Sequence, residues 1–416
     1  MSTFARGFAI VVAPVDLLEL PAWEQGPLPV TKDGVVASAE LRRGYFNERS
    51  ASALYGPGRL HREMGSEHGL GQSYDRFEVA GVELLHLPTS RGRRNALLAV
   101  HGEVHADGLG LVETLARIAY LGTDVSAPRS FLDKLLEGCG TVMSGLKRAT
   151  TMTLATPATG VLEAPLESPT YDAWGAELQW LWLLASATSP EDYLPAPENR
   201  AELLGSLIRL SASWQVLVLR DGTAYLGSGA DMSSTYRLST DGEFHFRTVY
   251  LDALLVAQAQ RLQLTRIADE LAALTDPMGD PAPLLRLERQ LTAFRNVYWW
   301  QHLGPQWHAN KLLRAYQANH EIDELFQQVT DEIGDYSRKA HTAATQRTEA
   351  LVGVLAVVGL PLGAALELVH GLGVHDPWWI AFALSLAALF IAAILLTGAG
   401  RTLLRLWIMV GRRDQP

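Results

Sequence analysis

The sequence predicts an α+β cytosolic domain, then a long helical stalk, then a two-helix transmembrane hairpin. Three observations carry this reading. Residues 350–369 and 378–397 are almost wholly apolar runs of about 20 residues each, the length at which a helix crosses a hydrocarbon core of roughly 30 Å. From residue 251 onward, apolar residues recur at helical spacing. Before residue 250, Val- and Ile-rich strand-like runs mix with helical ones without strict βαβ alternation. The boundaries that follow are 1–250 for the α+β domain, with room for two lobes split near 155–168, then 251–347 for the stalk. Residues 348–400 are the hairpin and 401–416 a basic tail.

The elements can be justified in order. Residues 8–13 read as a buried strand that Pro14 and Asp16 stop. That run is too short for a secretory signal, so the C-terminal hairpin is expected to drive membrane insertion. Residues 16–75 contain Gly56, Gly58, Gly65, Gly69 and Gly71, which predicts loops and short helices. No clear strand precedes these glycines, so a phosphate cradle is a weak reading. Residues 77–87 and 95–105 are apolar strands joined by 88–94, a hairpin pattern. Leu111, Leu115 and Ile118 give 109–120 helical spacing, and 130–136 reads as a second helix ending at Gly138. A strand over 150–155 and helices over 171–186 and 199–210 follow. Asp221-Gly222 marks a hairpin between 214–220 and 223–227. Residues 244–250 read as a last strand.

In the stalk, helices over 251–274 and 284–303 are separated by the proline-rich 276–283, and Gly304-Pro305 ends the second. No proline then occurs until Pro361. Ile322, Val329, Tyr336 and Ala343 are seven apart, and Phe326, Ile333 and Ala340 repeat the spacing. This stripe predicts one rod over 306–369, roughly 95 Å long, that needs partners along its length, so self-association is expected.

Charge excludes some classes and sets orientation. The net charge is −10 with no long basic run, so a nucleic-acid footprint is absent. The single cysteine, Cys139, excludes an internal disulfide framework and suits a cytosolic body. No Lys or Arg occurs between 348 and 400. Arg338, Lys339 and Arg347 precede that stretch, and Arg401, Arg405, Arg412 and Arg413 follow it. The positive-inside rule therefore predicts a two-pass protein of the cell (inner) membrane with both termini cytoplasmic. Trp378, Trp379 and Trp407 are placed to anchor in the headgroup belts.

Two groups of residues could carry chemistry. On the first span Gly359, Gly363, Glu367 and Gly371 recur every four residues, above Thr345 and Thr348. Small residues let helices approach closely in lipid, and an acid there faces protein or water. Alternatively Glu367, near His370, reaches the outer interface. In the soluble part, His101, Glu103 and His105 alternate and share a face if extended. They are weak metal candidates and equally the polar face of a half-buried strand. His101-Gly102 at the end of an apolar strand, with Cys139 between Gly138 and Gly140, faintly resembles the caspase-type proteases. Residues 131–136 read as helix where that family has a strand.

In layout the chain resembles the CorA-like magnesium channels. The matching features are the helices over 251–303, the rod over 306–369, Pro361 within the first span, and a second span opened by tryptophan and followed by a basic tail. The resemblance implies a homo-oligomer around the first spans, a short outer loop, and passage of a divalent cation such as Mg²⁺. The residues so placed at a pore or helix interface are Thr348, Gly359, Gly363, Glu367, His370 and Gly371. The family's Tyr-Gly-Met-Asn run reads His370-Gly371-Leu372-Gly373 here: the glycine carries over and the Asn does not. The architecture therefore transfers better than the activity, and His370, Glu367 and His375 could supply a different outer ring. The alternative is a membrane-anchored interaction or effector protein without transport, binding a protein partner. A Cys139/His101 hydrolase is the third reading.

Overall fold

The computed structural model describes residues 3–32, 35–36, 39–64, 72–87, 94–122, 126–158, 162–166, 168–227, 238–274, 281–371 and 377–396. The chain forms two compact units. One comprises residues 1–267 and 290–327, the other residues 268–289 and 328–416.

The first unit opens with β1 (Phe4–Leu17) and three two-residue strands, β2 (Glu24–Gln25), β3 (Thr31–Lys32) and β4 (Val35–Val36). Short helices α1 (Ala39–Arg43) and α2 (Glu48–Leu54) precede β5 (Arg59–Glu63), β6 (Ser73–Tyr74), β7 (Phe77–His86) and β8 (Arg94–Val104). Then come α3 (Leu109–Ala119), α4 (Ala127–Leu135), β9 (Gly140–Val142) and β10 (Thr150–Pro157). The run continues with α5 (Gly175–Ser186), α6 (Arg200–Ser206), β11 (Ile208–Arg209), β12 (Trp214–Val218) and β13 (Gly222–Gly227). Eleven strands build one mixed sheet in the order β11-β12-β13-β10-β1-β8-β7-β5-β2, with β6 against β7 and β9 against β1. Among the described strands only β10 and β13 pair in parallel.

β1 is the spine because its residues are apolar on both faces. Ala9, Val11, Ala13 and Val15 turn to one side and join a core with Leu111 and Leu115 of α3, Leu132 of α4 and Leu181 of α5. Phe8, Ile10 and Val12 turn to the other side and are equally buried. Pro14 was expected to stop the strand, yet β1 runs through it. Its carbonyl accepts from Met143 N at 3.0 Å, so its missing N–H faces the junction where β10 ends and β9 begins. A proline is tolerated where no ladder bond is owed.

The helices that follow the sheet are α7 (Leu238–His245), a π-helical turn (Phe246–Tyr250), α8 (Leu251–Ala272), α9 (Pro281–Val297) and α10 (Trp307–Asn319), and the π-helical turn, the start of α8 and α10 pack on the second face. Phe246 packs edge-on to Phe8 and to Tyr225. The Tyr316 hydroxyl of α10 lies 3.3 Å from that of Tyr225, and Gln258 of α8 donates to Thr150 Oγ1 at 3.2 Å. Most of the predicted stalk start is thus a layer of the α+β unit. Residues 244–250, expected as a strand, are helical for the same reason: Phe246, Val249, Tyr250 and Ala253 all bury against that face. Residues 155–168 do not divide the unit, since β10 pairs with both β1 and β13 in one sheet. The predicted helix over 199–210 is shorter; α6 ends at Ser206, and Ile208 and Arg209 turn back to pair with β12.

The second unit is carried by α11 (Ile322–Gly371), whose first residues belong to the α+β unit, and by α12 (Pro377–Leu396). The expected rod over 306–369 is broken at His320–Glu321, where Glu321 takes φ of 51°. Beyond that point α11 continues for 50 residues through Gly334, Arg347 and Pro361. Its heptad positions Ile322, Val329 and Ile333 are buried. Residues 372–376, expected as an outer turn with His375, and the basic tail, with Trp407, lie outside the described residues, as do Gly65, Gly69 and Gly71.

Candidate functional site

The most unusual chemistry of the α+β unit is a charged cluster buried on the second face. Arg59 on β5, Glu83 on β7 and His101 on β8 point the same way, and Asp252 of α8 comes down onto them. Arg59 Nε donates to Glu83 Oε2 at 2.8 Å, its Nη2 donates to the same oxygen, and Nη2 also donates to Asp252 Oδ1 at 3.0 Å. Asp252 Oδ2 accepts from Tyr55 Oη at 2.7 Å and lies 3.7 Å from Arg42 Nη1. Arg42 Nη2 is held by the Leu28 carbonyl at 2.8 Å. Every one of these side chains is at most 5% exposed.

Two guanidinium groups face two carboxylates, so the cluster is balanced only while His101 is neutral. Burial would push the Glu83 carboxyl up, but Arg59, with His101 and Arg42, holds it well below the usual carboxylate range. Burial works against the charge on Arg59, and Glu83 and Asp252 more than restore it. Burial likewise drives His101 below the ordinary imidazole range, although Glu83 pulls the other way. His101 Nε2 lies 3.1 Å from Glu83 Oε1, yet neither atom completes a directed hydrogen bond, and His101 Nδ1 has no partner.

This geometry disposes of the soluble-domain candidates in turn. His101 is fully buried beside Glu83, whereas His105 is exposed and donates to Glu78 at 2.7 Å, so the expected His101–Glu103–His105 set does not converge. Among the described residues no three His, Cys, Asp or Glu side chains stand together as a metal site. Cys139 lies in the turn after α4, and α4 packs with Val100 on the first face of the sheet. His101, next in sequence to Val100, points to the opposite face, so the sheet separates the two members of the proposed dyad. Burial, with Glu19 and Glu137, pushes the Cys139 thiol up, the reverse of an activated nucleophile. Arg59 and Asp252, the partners that matter most, were invisible locally, being 193 residues apart in sequence.

The hairpin candidates all fall on α11. Gly359, Gly363 and Glu367, four apart on one side of the helix, are exposed, as are Thr348 and His370, and Gly371 is its last residue. A Cβ built on Gly359 or Gly363 would meet nothing within 4 Å. Among the residues whose side chains are described, no helix is long and apolar enough to cross a membrane. Counted over its full sequence, α12 is 20 residues without a charge.

The site and fold together define a mixed α+β domain with a charge-locked interior, joined to a long apolar helical extension. Comparison with protein-family models, with curated proteins and with solved structures finds no match to this chain.

Proposed function

We propose that this chain is a two-pass, self-associating membrane protein whose α+β unit lies in the cytosol, and that helices like α11 assemble around a cation path. The observation that supports it is outward-facing apolar surface. Leu355, Leu360 and Leu389 are 75%, 72% and 73% exposed on α11 and α12. A Leu left in water forgoes about 1.5–3 kcal/mol relative to burial, so leucines this exposed on long apolar helices favour a lipid or partner surface. Lipid suits Leu389 of α12, and a neighbouring copy suits the side of α11 bearing Leu355, Gly359 and Gly363, four apart, where the backbone is open to close approach. Glu367 continues that side, and a ring of such carboxylates attracts cations.

The test is reconstitution of the purified full chain in liposomes. Carbonate-resistant association, a homo-oligomer in detergent, and Mg²⁺ uptake reduced at least tenfold by Glu367→Ala are expected. Recovery in the aqueous fraction as a monomer would overturn the reading. A second reading, an anchored interaction protein, is favoured by Gly373 standing where the CorA-like run has Asn. A membrane-resident oligomer that passes no cation would decide for it.

A further inference from the structure

The α+β unit contains a cavity that the membrane reading does not use. Its volume is about 300 Å³, at the small end of the roughly 300–1,000 Å³ of small-molecule sites. Its walls are aromatic. Tyr225 of β13 and Tyr250 of the π-helical turn stack at 5.7 Å with their planes 8° apart. Trp214 of β12 closes another side, and Tyr45 meets His245 edge-on at 6.0 Å. His245 in turn leans on Tyr250 at 5.8 Å. The backbone is shaped around one of these rings. A Cβ on Gly242 would stand 2.6 Å from Trp214 Cζ2, so the chain approaches the indole as only glycine can.

The polar groups on the walls select among ligands. They are Ser211, Gln306, His245 and His308, with no carboxylate and no Lys or Arg among the lining residues. A cage for a quaternary cation would want an acid, and a site for a free phosphate would want a fixed positive charge. Burial pushes the His308 imidazole down, against the pull of the Leu210 carbonyl beside it. A neutral imidazole, a hydroxyl and an amide each offer both a donor and an acceptor. Flat aromatic walls edged by uncharged donor–acceptor groups fit a flat ring with the same edge chemistry.

We infer that the cavity bounded by Tyr225, Tyr250, Trp214 and Tyr45, with His308 and Gln306 at its edge, binds a planar nitrogen heterocycle of nucleobase size with both donors and acceptors on its edge. Stacking supplies the affinity, and the polar edge separates the heterocycle from a plain aromatic ring. The site lies within the first unit and does not depend on where the hairpin resides.

The experiment is calorimetric titration of the detergent-solubilised full chain with the four ribonucleosides, and with indole, a ring of similar size whose edge has one N–H donor and no acceptor. At least one nucleoside should bind, and indole at least tenfold more weakly. His308→Ala, at a half-buried edge, should cost that nucleoside about tenfold and leave indole unchanged. Tyr250→Leu removes a stacking face and should cost about tenfold for both. Gly242→Val, which drives Trp214 inward, should abolish binding while the circular dichroism of the unit is retained. Failure of all four nucleosides to bind at millimolar concentration would overturn the inference. Binding that indole matches, or that ignores His308→Ala, would overturn it equally.

Discussion

Tyr55 and Asp252 are joined by a 2.7 Å hydrogen bond in the interior, and that bond ties α2 to the start of α8. Asp252 also receives Arg59 and faces Arg42, so one carboxylate gathers groups from α1, α2 and β5 beneath α8. Burial and the Asp252 charge push the Tyr55 hydroxyl well above the ordinary tyrosine range, which keeps it a donor.

Removing one member of this cluster should cost far more than removing one member of an exposed pair. Glu83→Ala leaves Arg59 buried with half of its neutralisation gone, and loss of one partner of a buried pair costs about 3–5 kcal/mol. Urea unfolding followed by tryptophan fluorescence should show a loss of that size. Arg62→Ala, which removes a partly exposed pair with Glu137, should change stability by less than about 1 kcal/mol.

Stability should fall on acidification in a defined window. His101 is held below its ordinary value, and burial, with Arg261 and Arg220, pushes His320 down to about 4. Both imidazoles are neutral when folded and take up protons when unfolded below about pH 6.5, so the unfolded state binds more protons there. The contribution is complete above that pH and is lost as pH falls toward about 4. His320→Gln should flatten the slope between pH 6.5 and 4 in thermal melts, without altering the plateau above pH 7.5 by the same amount.

Two glycines should respond in opposite directions to alanine. A Cβ on Gly304 would run into the Tyr45 carbonyl and sit 2.8 Å from Phe46 Cα, both backbone, so Gly304→Ala should cost about 1–3 kcal/mol. A Cβ on Gly205, inside α6, meets nothing, and Gly205→Ala should gain up to about 1 kcal/mol of helix propensity. Paired melting curves of the two variants check this.

Self-association should depend on the open side of α11. Gly363→Ile places a branched side chain where a neighbour's backbone is proposed to pack, and should shift a detergent-solubilised oligomer toward monomer. Analytical ultracentrifugation reads the change. Leu389→Ala, on α12 and assigned to lipid, should leave the oligomer in place.

The parts of the fold legible in the sequence are those where burial writes a local pattern. β1, β7, β8, β10 and the β12–β13 hairpin stand where apolar runs and Asp221-Gly222 put them. β5 escaped notice because its sequence, Arg-Leu-His-Arg-Glu, looks like solvent; it is buried because Glu83 and Asp252 wait for Arg59. Residues 244–250 misled because aromatic and β-branched residues favour strands until a tertiary face claims them. The break at His320–Glu321 has no proline or glycine to announce it. Of the candidate residues, the soluble ones failed because alternation reports the face of a strand and not what already occupies that face.

The π-helical turn at Phe246–Tyr250 has a consequence for how this protein tolerates change in length. It holds one residue more than an α-helical turn would. A single deletion there can be absorbed by tightening to an α-helical turn, because four residues at about 100° each turn the chain about as far as five in the wider turn. Asp252 would still reach the guanidinium groups and Gln258 would still reach Thr150. The same deletion a few residues later, inside α8, has no slack to draw on and would swing everything beyond it by about 100°.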